Sequence, residues 1–136
     1  MISKKCTYAL KAVLALTRRE GSGPMTIQQI AELQDIPPRF LEAILRDLKQ
    51  NGFTESIRGK EGGYVLSRPA REISLGEIIR CVEGPWFSPS GDADVFTTVW
   101  EEAENALNKV MDETDFQSLL RKEDELRRAA VPDYSI

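Results

Sequence analysis

Apolar residues recur at spacings of three and four from the start of the chain. Cys6, Ala9, Leu10, Val13, Leu14 and Leu16 form one stripe, which predicts an amphipathic helix over 4–17. Gly21-Ser22-Gly23-Pro24 ends it. Thr26 and Gln29 then stand at capping-box spacing, with Met25 able to staple onto Ile30, so a short helix is predicted from Ile27 to Gln34. Asp35-Ile36-Pro37-Pro38 must turn, because proline disfavours helical backbone in the residue before it. Pro38 suits the first position of a third helix reaching Gln50. Its predicted buried stripe is Phe40, Leu41, Ile44, Leu45 and Leu48, and Gly52 is placed to cap its end.

The period then changes. Phe53 to Ile57 reads as a strand, Gly59 to Gly63 as a turn, and Tyr64-Val65-Leu66 as the returning strand. Ser74 and Glu77 form a second capping box, stapled by Ile73 and Ile78, for a helix running to about Val82. Gly84-Pro85 stops it, and a Ser-, Pro- and Gly-rich stretch follows from Trp86 to Gly91. Val95, Phe96, Val99, Trp100, Ala103, Leu107, Val110 and Met111 mark a long amphipathic helix of about five turns. Thr114-Asp115-Phe116-Gln117 opens a last helix carrying Phe116, Leu119, Leu120 and Leu126.

Two helices joined by a tight turn are a helix-turn-helix signature, and a hairpin directly after them is a wing. The expected fold is therefore mainly α with a small β-hairpin wing (α+β), a winged helix-turn-helix followed by a long dimerisation helix. The expected division is 1–85 for the winged part, 86–94 for a linker, 95–128 for the long and terminal helices, and 129–136 for a tail. The long helix projects past the domain's core, so its stripe of Val95, Phe96, Val99, Trp100, Ala103, Leu107 and Val110 is the candidate dimer interface. Folding of that helix back onto its own domain is the alternative.

A length of 136 residues allows one domain and a short appendage. No apolar run approaches the roughly 18 residues of a membrane span. Lys11 interrupts the apolar stretch behind Lys4 and Lys5, and no small-residue cleavage site follows, so a cytoplasmic protein without membrane contact is expected. Histidine is absent, which removes the usual triads and the commonest general base; an enzyme is not expected. Gly59-Lys60-Glu61-Gly62-Gly63 lacks the Lys-Ser/Thr and the helix of a phosphate-binding loop. The net charge of −4 conceals an asymmetry. Residues 1–71 carry 12 Lys and Arg against 7 Asp and Glu, whereas 72–136 carry 6 against 15. A basic half points to a polyanion such as double-stranded DNA.

Four segments carry a family resemblance. They are Ser3-Lys4-Lys5-Cys6-Thr7-Tyr8-Ala9-Leu10, Phe40-Leu41-Glu42, Ile57 to Leu66 across the wing, and Ile73-Ser74-Leu75-Gly76-Glu77-Ile78-Ile79. Over residues 1–85 the chain resembles the Rrf2-type winged helix-turn-helix bacterial transcriptional regulators. The resemblance implies a homodimer reading a palindromic promoter site, the third helix in the major groove and the wing at the minor groove, here expected to act as a repressor. It places Glu42 as a base-reading acid and Arg58 as the wing arginine. Arg39, Ala43 and Arg46 would meet bases or backbone from the same helix. Lys4 and Lys5, with Thr26 and Gln28 at the amino end of the second helix, would hold phosphates, and Gly59 and Lys60 would accompany Arg58 at the minor groove.

Cluster-binding members of the family place three cysteines between the short helix and the long one. Here residues 86–94 contain none, so no iron–sulfur cluster, metal or other cofactor is expected. Of the two cysteines, Cys6 reads as a small core residue, and Cys81, off the centre of its helix's stripe, is the candidate redox group. Three alternatives stay open. One is a winged-helix module that binds protein through its acidic half. Another is a small-molecule effector pocket lined by Trp86, Phe87 or Trp100. The third, implied by the family, is control by a partner enzyme.

Overall fold

The computed structural model describes residues 2–87 and 91–130. Helix α1 spans Lys4–Arg18, α2 Ile27–Gln34 and α3 Pro38–Gln50. Strands β1 (Thr54–Ile57) and β2 (Gly63–Leu66) pair antiparallel, Thr54 opposite Leu66 and Ile57 opposite Gly63. A short 3₁₀ turn at Ala70–Glu72 precedes α4 (Leu75–Glu83), α5 (Val95–Asp112) and α6 (Phe116–Ala130). Residues 88–90 of the expected linker and 131–136 of the expected tail lie outside the described residues. Among the described residues no helix is long and apolar enough to cross a membrane.

Local chemistry starts each helix. Ser3 accepts from the Cys6 amide at the head of α1, and the capping boxes Thr26/Gln29 and Ser74/Glu77 both form. Asp94 and Thr97 make a third box at the head of α5. At α6 the cap is Asp115, which accepts from the Ser118 amide at 2.9 Å, while the Thr114 hydroxyl turns back to the Val110 carbonyl.

One core holds these elements except α5. Ala9, Ala12, Val13 and Leu16 of α1 meet Ile30 of α2, Leu41, Leu45 and Leu48 of α3, Ile73 and Ile78 around α4, and Phe116 of α6. The staple pairs Met25/Ile30 and Ile73/Ile78 are all buried in it. The terminal helix, grouped with the long helix in the sequence reading, thus shares the winged part's core. The Phe116 amide also donates to the Ile73 carbonyl, and Arg18 pairs with Glu123 at 2.6 Å and Asp124 at 2.8 Å.

Three sequence expectations change. Phe40 is not in the buried stripe of α3; it is 43 % exposed and stacks on Tyr8 with ring centroids 5.9 Å apart. Leu126 lies exposed, because α1 ends at Arg18 and offers no apolar surface that far along α6. The last helix also runs on through Ala129 and Ala130, two residues expected in the tail.

Candidate nucleic-acid interface

The wing is fixed by a contact that spans the chain. Met25, before α2, bridges to Tyr64 of β2 through paired backbone hydrogen bonds of 3.0 and 2.7 Å. This approach requires glycine at 63. Its φ is +148°, and a Cβ there would stand 2.3 Å from the Met25 carbonyl oxygen. Gly62 is equally constrained, since a Cβ would fall 2.3 Å from the Ile57 carbonyl oxygen inside the turn. Gly63 lets the hairpin lie against the head of α2, Gly62 closes its turn, and its tip, Arg58-Gly59-Lys60, stands in solvent.

Helix α3 buries Leu41, Ile44, Leu45 and Leu48. At 100° per residue, the opposite face carries Arg39, Glu42, Ala43 and Arg46. All eleven residues predicted to meet DNA are exposed: Lys4, Lys5, Thr26, Gln28, Arg39, Glu42, Ala43, Arg46, Arg58, Gly59 and Lys60. They gather around two recesses that flank the amino half of α3. One, of about 810 Å³, lies between α2 and the wing and is lined by Thr26, Gln28, Arg58, Gly59 and Lys60. The other, of about 600 Å³, lies between α1 and α3 and is lined by Lys4, Lys5, Arg39 and Ala43. Glu42 and Arg46 line neither recess and stand on the outward face of α3.

Weak restraints preorganise this surface. Glu42 and Arg46, one turn apart, approach to 3.9 Å while largely exposed, a pair worth only a few tenths of a kcal/mol. Lys5 reaches Asp47 at 3.1 Å, tying the head of α1 to α3, and Lys49 donates to Ser56 of β1 at 2.7 Å. Ser3 donates its hydroxyl and its amide to the Glu83 carboxylate, which holds that carboxyl below its usual range. These contacts fix the segment carrying Lys4 and Lys5 between α3 and α4. The Thr26 hydroxyl is occupied in capping α2, since it accepts from the Gln29 amide.

Sequence reasoning missed the apolar members of these recesses. Tyr8, Pro37, Phe40 and Ile44 line the second, and Ile57, 44 % exposed, lines the first. The signal for Phe40 was available: it falls at the edge of its helix's apolar arc, about 90° from the arc's centre.

Away from this face, α5 has no buried residue. Val95, Phe96, Val99, Trp100 and Val110 are 48–72 % exposed, and Ala103 and Leu107 are half-buried. Its other side rests on α4, where Arg80 pairs with Asp112 at 2.8 Å. Phe87 stacks on Trp100 at 5.8 Å, and the Trp86 amide donates to Glu104, so the linker's first aromatics lie along the helix. Cys6 is fully buried, and burial pushes its thiol up to about 11. Cys81 is half-buried; burial raises its thiol too, as does Asp47, against an opposing effect of Lys5.

The Rrf2 family, described as iron-dependent transcriptional regulator, matches residues 2–122. The HTH-type transcriptional regulator CymR of Bacillus subtilis (strain 168) is 33% identical over 122 residues, 87% of this chain and 88% of CymR. Among solved structures, CymR, the global cysteine regulator of B. subtilis, superposes with a TM-score of 0.81 at 31% identity, covering 90% of this chain and 97% of CymR. IscR of T. potens superposes at 0.82 with 32% identity, covering 98% and 93%.

The iron in the family's description does not fit the donors present here. The chain has two cysteines and no histidine, Cys6 is closed inside the core, and among the described residues no three Cys, Asp or Glu stand together as metal ligands. An iron–sulfur cluster needs more thiolate anchors than that. With the family matched over nearly the whole chain and the winged helix shared with CymR and IscR, this chain belongs to the Rrf2 family of transcriptional regulators.

Proposed function

We propose that the chain is a homodimeric repressor that reads a palindromic promoter site without an iron–sulfur cluster. Helix α3 enters the major groove, where Glu42 accepts from a cytosine amino group and Arg39 and Arg46 take base edges or phosphate. The wing lies on the minor groove, whose narrow, electronegative form favours Arg58. Lys4, Lys5 and the head of α2 with Thr26 and Gln28 hold the flanking phosphates.

One observation carries this reading: the outward face of α3 is flanked on both sides by recesses rimmed with exposed cations. Pairing through Val95, Phe96, Val99 and Trp100 of α5 supplies the second head. It covers an apolar face that would otherwise stay in water. Two heads on a twofold axis then meet half-sites about one helical turn apart, roughly 34 Å.

Selection of bound fragments from the source genome is expected to return inverted repeats. On such a site Arg58→Ala should weaken binding by about 1–3 kcal/mol and reduce the salt slope by about one. Enrichment of no duplex at low salt, or an Arg58→Ala protein with unchanged affinity and slope, overturns the reading.

A further inference from the structure

The recess between α1 and α3 has a chemistry that a phosphate backbone does not use. Its floor is apolar: Tyr8 and Phe40 stack there, with Ile44 beneath. Its rim is cationic, formed by Lys4 and Arg39, which have no ion-pair partner among the described residues, and by Lys5, which also reaches Asp47 at 3.1 Å. The Arg39 guanidinium sits 4.9 Å from the centre of the Phe40 ring. A phosphodiester satisfies the rim but brings no flat apolar partner for the two rings. Phe40 stays 43 % exposed, so its ring face is open to such a partner. At about 600 Å³ the recess also lies within the size range of small-molecule sites, which are mostly apolar with a few convergent polar groups.

We infer that this recess binds a small aromatic carboxylate, its ring against Tyr8 and Phe40 and its anionic end between Arg39 and the two lysines. Charge complementarity selects the anion, and the stacked rings select a flat body. The same three cations are the ones assigned to DNA above, so ligand and duplex exclude each other. That consequence rests on the DNA reading; the site itself does not.

The test is calorimetric titration of the full chain with 2-naphthoate, without DNA and at low salt. Saturable binding is expected, about tenfold tighter than for 2-naphthamide, which keeps the ring and lacks the charge, or for acetate, which keeps the charge and lacks the ring. Phe40→Ser should weaken it roughly fivefold, and so should Lys4→Gln, a fully surface change that protects the test if Phe40→Ser fails to fold. Leu126→Ser, at an exposed apolar residue remote from the recess, should leave it unchanged. Saturating 2-naphthoate should release a labelled random-sequence duplex. No saturable binding, equal binding of the amide, or indifference to both recess variants each overturn the site; a bound duplex untouched by saturating 2-naphthoate overturns the exclusion of duplex by ligand. A protein that binds duplex but not naphthoate loses this site and keeps the DNA reading; one that binds naphthoate but no duplex does the reverse.

Discussion

Gly63→Ala tests the contact that seats the wing. The added methyl would lie 2.3 Å from the Met25 carbonyl oxygen, 2.5 Å from its carbon and 2.9 Å from the Thr26 nitrogen. All three are backbone atoms, so no side chain can swing aside. The strand must leave the loop, breaking the Met25–Tyr64 pair of hydrogen bonds. Each is worth about 1 kcal/mol net, and a non-glycine residue at φ +148° costs a further 1–3 kcal/mol or so, giving about 3–5 kcal/mol in all. Gly59→Ala is the matched control. It too has positive φ, +117°, but a Cβ there meets nothing within 4 Å, so only strain remains, about 1–2 kcal/mol. Urea unfolding of both variants reads the difference, and amide exchange at Tyr64 reports where the structure opens. Equal losses in the two variants, or an unchanged Tyr64 amide in Gly63→Ala, would refute the steric argument.

Three further changes probe the rest of the molecule. Phe116→Ala should cost about 3–5 kcal/mol in thermal or urea unfolding, because the ring is fully buried where α6 meets the core. On the proposed pairing through α5, the parent should sediment as a dimer and Trp100→Glu as a monomer at the same concentration, with stability lowered by about 1 kcal/mol for the lost stack on Phe87. The Cys6 thiol has its pKa raised from 9.0 to about 11, so its stabilising contribution is complete below pH 9 and lost as pH rises through 11. The urea midpoint should therefore fall less steeply over that range in Cys6→Ala than in the parent, and native Cys6 should react with a thiol reagent far more slowly than the unfolded chain.

The parts legible in the sequence were those decided by neighbours in the chain. Capping boxes at Thr26 and Ser74 act over three residues, and the structure forms both. Pro37-Pro38 fixed the turn before α3 for the same reason. What escaped depends on contacts between distant segments. The Met25–Tyr64 bridge joins a loop to a strand, and nothing in either segment names its partner. Phe40 sits at the edge of its helix's apolar arc, where periodicity alone allows either side, and the ring of Tyr8 on another helix decides where it lies. Leu126 kept the right period but ran beyond the end of α1. Of the candidate site, exposure and clustering of the charged residues followed from helical periodicity, whereas the apolar floor between α1 and α3 required the packing of two helices.

That packing also resolves the apparent conflict between an acidic protein and a polyanionic partner. The acidic second half supplies counterions to cations that line neither recess beside α3. Glu123 and Asp124 take Arg18, Glu77 takes Arg68, and Asp112 takes Arg80. Among the described residues, Lys4, Arg39, Arg58 and Lys60 have no ion-pair partner, Arg46 has only the long, exposed contact with Glu42, and Lys5 is paired to Asp47 of α3 itself. Net charge adds these two populations together, but a polyanion approaching α3 meets mainly the second. Beyond a Debye length of about 8 Å at physiological salt, the acidic surface of α5, with Glu101, Glu102, Glu104 and Asp112 against Lys109, contributes little to what that face feels. The local field at α3 is therefore positive although the molecule is not, and the same arrangement leaves the acidic flank free to repel misaligned duplex.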